Sequence, residues 1–236
     1  MDNIKFLLGI ESKGIKLGLE RTYSLLQSCG NPHKADNIVQ LVGTNGKGST
    51  SYMIYKILSD AGYKVGLFTS PHLNRSNERI RINGMAISNK EIEGFIDIYK
   101  DEIIKYDASF FEVITVLAFW YFAKYQVDYS IMETGLGGRL DSVSACNPIA
   151  LGITSISMDH KEILGDCIED IAAEKAGAIK DNSICVSVPQ EKKVSEVLTN
   201  KAKQKNANLE FVNKQLPYEI NLNGEFQKIN ASLAVS

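Results

Sequence analysis

LVGTNGKGSTS, residues 41–51, is the stretch on which the reading of the whole chain turns. A strand-like apolar run, Ile38–Val42, leads into it, and a helix-like run, Thr50–Leu58, leaves it. A glycine-rich turn that opens a helix offers converging backbone N–H groups and the positive end of the helix dipole, a combination suited to phosphate. The same stretch also reads as an ordinary turn, with Gly43 taking a positive φ and Ser49 capping the helix. Lys47 inside the turn, with Ser49 and Thr50 after it, favours phosphate. The pattern departs from G-x-x-x-x-G-K-[ST]: the leading gap is shorter, and Gly48 separates lysine from hydroxyl. Both chemical parts remain, a cation for the β- and γ-phosphates and a hydroxyl able to reach Mg2+.

Outward from this loop, strand-like runs recur at 38–42, 65–69, 129–133, 149–154, 184–188 and 209–212. Helical patterns occupy 4–28, 49–61, 89–106, 109–125, 162–179 and 191–205. This alternation predicts an α/β fold, a mostly parallel sheet with helices on both faces. Ligands of such sheets sit beyond the carboxyl ends of the strands. Four polar segments, 43–49, 69–84, 132–141 and 155–166, each follow the end of a strand-like run. Their convergence on one sheet edge predicts an active site.

The 236 residues suit one large domain, or one domain and part of a second, and 44% hydrophobic residues supply a substantial core. A formal charge of −2 without a dense Lys/Arg block gives no sign of nucleic-acid binding. The longest apolar run, 110–123, contains Glu112 and is too short for a bilayer core of roughly 30 Å, so a buried helix is expected there. Charges interrupt the N-terminal stretch, unlike a signal peptide. Cys29, Cys146, Cys167 and Cys185 are scattered without a C-x-x-C pair, which fits reduced thiols and a cytoplasmic protein.

Several polar residues carry two readings each. Glu133, at the end of an apolar strand and before Gly135, Gly137 and Gly138, holds Mg2+ or caps the following turn. His160 is a metal ligand or a packing residue. Ser70 is a metal ligand or stabilises a turn at Pro71, with His72 beside it. Lys175, near a helix end closed by Gly177, reads by spacing alone as a solvated cation that complements the dipole.

The ordered segments GIKLGLER, GNP, VGTNGKGST, TSPHL, NERIRING, FFEVITVLAF, GLGGRLD, ITSISMDHKEILGD and IAAEKAGAIK together resemble the folylpolyglutamate synthase and dihydrofolate synthase family of the Mur-ligase superfamily. FQKINASLA resembles that family's helix leaving the ATP domain. The resemblance implies a P-loop NTPase-like ATP-binding domain over 1–236, with an N-terminal helix in 1–30 and the phosphate loop at 43–50. It implies an ATP-dependent ligase that forms an acyl phosphate on a folate or dihydropteroate carboxylate and then adds L-glutamate, acting as a monomer away from membranes and nucleic acid.

Carried over by residue, Thr44, Asn45, Gly46, Lys47, Gly48 and Ser49 would cradle the ATP phosphates, and Asn230 would lie beside adenine. Ser70, Glu133 and His160, with Ser49, would hold two Mg2+ ions, and Lys175 would be carbamylated; Lys47, Lys175 and His160 would be the catalytic residues. Ser109, Phe110, Phe111, Glu112, Leu140 and Asp141 would form the pterin and aminobenzoate pocket, bordered by Ile15–Leu17. Two departures stand out. Ser142-Val143-Ser144 replaces the family's usual Ala-Thr-Asn, and the family's C-terminal α/β domain, with its arginine and aspartate, is not in these residues. The expectation is weak nucleotide binding and negligible ligase activity from this stretch alone. A non-catalytic nucleotide module and a ligase of peptidoglycan precursors are the alternatives.

Overall fold

The apolar runs form strands whose side chains alternate between two faces, each of which helices cover. The computed structural model describes residues 3–11, 14, 16–35, 37–213, 220 and 222–236. In chain order the helices are α1 (Asn3–Glu11), α2 (Glu20–Ser28), α3 (Lys47–Asp60), α4 (Asn89–Lys105), α5 (Phe110–Lys124), α6 (Lys161–Leu164), α7 (Ile168–Ala176), α8 (Lys192–Gln204) and α9 (Phe226–Val235). The strands are β1 (Asn37–Val42), β2 (Val65–Phe68), β3 (Ile80–Ile82), β4 (Met85–Ala86), β5 (Tyr129–Glu133), β6 (Ala150–Ile153), β7 (Ile184–Ser187) and β8 (Asn208–Phe211).

Among the described residues these strands form one sheet in the order β4-β3-β2-β5-β1-β6-β7-β8. β2, β5, β1, β6, β7 and β8 run parallel, whereas β3 and β4 are antiparallel additions at one edge. The mostly parallel sheet is thus as expected, but the edge hairpin had been read only as part of a polar segment.

Ile38, Phe68 and Met132 point into a core shared with α1, α2, α4 and α5, while Val42, Leu151, Ile153 and Cys185 pack with α7 and α8. Leu41, Val65, Leu67 and Ile131 point to the opposite face, where Tyr55 of α3 meets them. The mostly apolar run 110–123 is a buried helix, started by Ser109 and Glu112 in a reciprocal capping box.

Two helical expectations need correction. The pattern over 4–28 is two helices, α1 and α2, and the pattern over 162–179 is likewise divided into α6 and α7. Gly165 causes the second break: its φ of +121 takes the chain out of helix between Leu164 and Cys167. The loop residue also differs from the ordinary-turn reading. α3 begins at Lys47 with Gly46 as its N-cap, at φ +90, and Ser49 sits inside the first turn without capping.

Topology places a crevice where the loop stands. β1 is flanked by β5 and β6, and the chain leaves it toward β2 on one side but later returns through β6 on the other. This reversal of direction opens a gap at the carboxyl end of β1. α9 packs against α3 at the same end, bringing Asn230 to the loop.

Candidate active site

The loop Gly43–Gly46 is held by the segment after β6. Thr44 N–H donates to the Ser155 carbonyl at 2.8 Å, and the Thr44 hydroxyl donates to the Ser157 carbonyl at 3.1 Å. Lys47 Nζ donates to the carbonyls of Gly43 and Thr44, both at 3.0 Å, so the lysine closes its own loop. These are weak neutral acceptors that an anionic phosphate can replace. A Cβ at Gly48 would stand 3.4 Å from Glu133 Oε2, so the space in front of that carboxylate depends on this glycine.

A cleft of about 450 Å3 opens beside the loop. Its polar side carries Thr44, Lys47, Ser70, Asp159, His160 and Lys175, which come from three of the four polar segments and from α7. Its apolar side carries Leu17, Phe110, Phe111, Leu136 and Leu140, with Ser109, Glu112 and Asp141 among them. Lys47 and His160 therefore share one cavity, and Glu133 adjoins it through Ser70. Of the expected Ile15–Leu17 border, Lys16 and Leu17 line the cleft; Ile15 lies outside the described residues.

Glu133 does not cap its own turn. It is 4% exposed, and its Oε2 accepts the backbone N–H of Ser70 at 3.1 Å, across the strand gap from β2. Burial pushes its carboxyl up to about 7, against the opposing pull of that N–H, Lys47 and Arg79. The turn after β5 is instead organised by Asp141, whose Oδ2 accepts from Gly135 and Leu136 N–H at 2.8 and 2.9 Å and whose Oδ1 accepts from Val143 N–H. Burial still brings Asp141 up to about 6. His160 sits at φ +45 with a half-exposed side chain, its Nε2 3.6 Å from Asp159 Oδ1. Among the described residues no group of three or more His, Cys, Asp or Glu side chains is placed to hold a metal.

Lys175 overturns the solvated-cation reading taken from spacing. It is 3% exposed, and Nζ donates to the Gly43 carbonyl at 2.9 Å, the same oxygen that Lys47 uses. Burial, with Lys47 adding to it, lowers its pKa to about 8. α7 turns this lysine inward because the loop 135–141 lies tightly over the helix end. A Cβ at Gly138 would stand 2.7 Å from the Lys175 carbonyl oxygen, and Arg139 pairs with Glu174 at 2.8 Å.

On the apolar side, Glu112 is 1% exposed and engaged from two directions, by Ser109 N–H at 2.7 Å and by Arg21 Nε at 2.9 Å. Phe111 packs against Phe68. Asn230, 5% exposed, lies against the loop: a Cβ at Gly46 would fall 2.5 Å from its Oδ1. Gln227 Nε2, one turn earlier, is 3.4 Å from Ser49 Oγ. Sequence reasoning missed Arg79, a buried cation that borders the cleft. Its place in NERIRING, within the polar segment that follows β2, was the available signal.

With this geometry in hand, comparison with known proteins finds that the Mur ligase middle domain family matches residues 41–212. A dihydrofolate synthase/folylpolyglutamate synthase of Bacillus subtilis (strain 168) is 41% identical over 198 residues, covering 81% of this chain and 46% of that protein. The chain thus spans about half the length of this relative. Among solved structures, the apo form of L. casei FPGS has a TM-score of 0.92 at 28% identity, covering 100% of this chain and 66% of the other. An FPGS-AMPPCP-folate complex has a TM-score of 0.89 at 28% identity with the same coverage, 100% and 66%.

Proposed function

The chain belongs to the Mur ligase middle-domain family, and from that premise we propose that it is the nucleotide-holding part of an ATP-dependent carboxylate–amine ligase that joins L-glutamate to folate, to dihydropteroate, or to both. The observation that carries this reading is one cleft shared by the Lys47 loop and the aromatic wall of Phe110 and Phe111. A phosphate donor and a flat aromatic acid can meet there. Likeness to a synthase complexed with AMPPCP and folate supports the same pairing of ligands.

In this reading Thr44–Ser49 hold the triphosphate, Lys47 exchanging the Gly43 and Thr44 carbonyls for phosphate oxygens, and Asn230 stands on the adenine side. Ser70, Glu133 and His160, with Ser49, hold two magnesium ions. Oxygen donors suit a hard cation, and a carboxylate whose ionisation burial disfavours gains from one. Magnesium bound there neutralises the crowded phosphate charge. Lys175, its pKa lowered to about 8, offers a neutral amine fraction to CO2, and the carbamate would turn a cation into an anion beside the loop.

Phe110, Phe111 and Leu140 flank the ring system, while Ser109, Glu112 and Asp141 shape the wall through bonds to their own backbone. The acceptor carboxylate attacks the γ-phosphate, breaking its bond to the β-phosphate oxygen and releasing ADP, to give an acyl phosphate; the glutamate amine then attacks the acyl carbon, losing a proton and displacing inorganic phosphate. Positioning and charge neutralisation supply most of the acceleration in such a transfer. Calorimetric titration with AMPPCP and magnesium tests the reading. Lys47→Ala should weaken binding at least tenfold. Equal affinity in the parent and this variant would refute it.

A further inference from the structure

The turn after β5 forms one wall of the cleft through Leu136, Leu140 and Asp141, and its two leucines are half-buried rather than sealed in the core. What holds this turn from behind is polar. Ser144, fully buried, is the hub. Its hydroxyl donates to the Gly138 carbonyl at 2.5 Å and accepts from Gln40 Nε2 at 2.8 Å, and its own carbonyl accepts from Lys180 Nζ at 2.6 Å. A second tie comes from α2, where the Thr22 hydroxyl donates to that of Ser142 at 3.1 Å.

Gln40 lies in β1, the strand between β5 and β6, and is fully buried. An amide in such a place needs partners, since an unpaired one is costly. Both of its ends turn to the segment 144–146: Nε2 to Ser144, and Oε1 to Cys146 Sγ at 4.0 Å. Neither Gln40 nor Ser144 lines the cleft. The wall they support is nevertheless in contact with the aromatic side, because a Cβ at Gly135 would stand 2.6 Å from Phe111 Cζ. A wall displaced by about 1 Å forfeits a quarter or more of each van der Waals contact with a ring lying there. The Gly43–Gly46 loop hangs on a different set of bonds, those to the Ser155 and Ser157 carbonyls.

We propose that Gln40 and Ser144 are positioning residues for the acceptor: without touching it, they hold the turn 135–141 at the distance from Phe111 that a flat heteroaromatic acid requires. The proposal deepens the folate-ligase reading and rests on it. Affinity for the acceptor, but not for nucleotide, then depends on a hydrogen bond made outside the cleft.

The test titrates the protein and its Ser144→Ala, Gln40→Met and double variants with pteroate by fluorescence, and with AMPPCP and magnesium by calorimetry. Each single variant should weaken pteroate about tenfold and leave AMPPCP within threefold. The double variant should fall well short of a hundredfold loss, because the two side chains share one bond. Pteroate affinity within threefold of the parent in either single variant overturns the proposal, and so does a fully additive loss in the double variant. An equal loss for both ligands, the mark of a network that serves stability alone, overturns it as well. Absence of pteroate binding by the parent would refute the folate reading itself, and this proposal with it.

Discussion

Gly46→Ala tests the junction between the loop and α9, and Gly62 supplies its control. The two glycines have nearly the same φ, +90 and +92, so alanine at either bears a similar left-handed backbone cost, about 1–2 kcal/mol. They differ in what the new methyl meets. At Gly62 nothing lies within 4 Å, whereas at Gly46 Asn230 Oδ1 lies at 2.5 Å and both Cγ and Nδ2 at 3.0 Å. Asn230 is buried and donates to Gln227 Oε1 at 3.1 Å, so pushing it aside strands a polar group at about 1–3 kcal/mol.

The sum for Gly46→Ala is about 2–5 kcal/mol, against about 1–2 for Gly62→Ala. In a domain of this size each kcal/mol moves Tm by about 2–4 °C, so drops of about 10 °C and about 4 °C are expected. Differential scanning calorimetry of the two variants measures them side by side. Equal drops would mean that Asn230 does not press on the loop, and the docking of α9 on the Gly43–Gly46 loop would lose its physical basis.

Three further predictions follow from the buried groups. Because Glu133 is raised from 4.5 to about 7, the folded state holds its proton longer, and stability falls as pH rises from about 4.5 to 7. Glu133→Gln should therefore be more stable than the parent at pH 8, by roughly 3 kcal/mol, and should converge with it near pH 4 in urea denaturation. Lys175, lowered from 10.5 to about 8, is the opposite case in sign: the unfolded chain binds the extra proton between those values, so stability climbs from pH 8 toward 10.5. Lys175→Met should flatten that slope in the same measurement; an unchanged slope would place the lysine in water. Ser109→Ala removes the cap of α5 and should cost about 1 kcal/mol, read as a lower Tm; no change would mean that Glu112 alone secures the helix start.

Much of the molecule was legible because local rules govern it. Apolar runs of strand length between amphipathic stretches predict a parallel sheet, and the segment 41–51 announces its loop through glycine, lysine and hydroxyls in a row. The β3–β4 hairpin was legible too, but passed over: Asn83-Gly84, at φ +46 and +84, is a turn signal for a tight hairpin between Ile82 and Met85. Polar neighbours on both sides concealed it. Arg79 escaped for a related reason, since an arginine in a charged stretch reads as solvated until the fold shows what covers it.

The sequence by itself determined the alternation of elements, the position of the glycine-rich loop at the end of β1 and the capped start of α5, because each depends on residues a few positions apart. Only the tertiary structure decided that Lys175 and Arg79 are buried cations, that Lys47 and Lys175 share the Gly43 carbonyl, and that Asp141 rather than Glu133 organises the turn after β5. Those outcomes depend on which helix end meets which loop, contacts up to 132 positions apart in the chain. Periodicity carries no information over such a span; close packing of one layer on another supplies it.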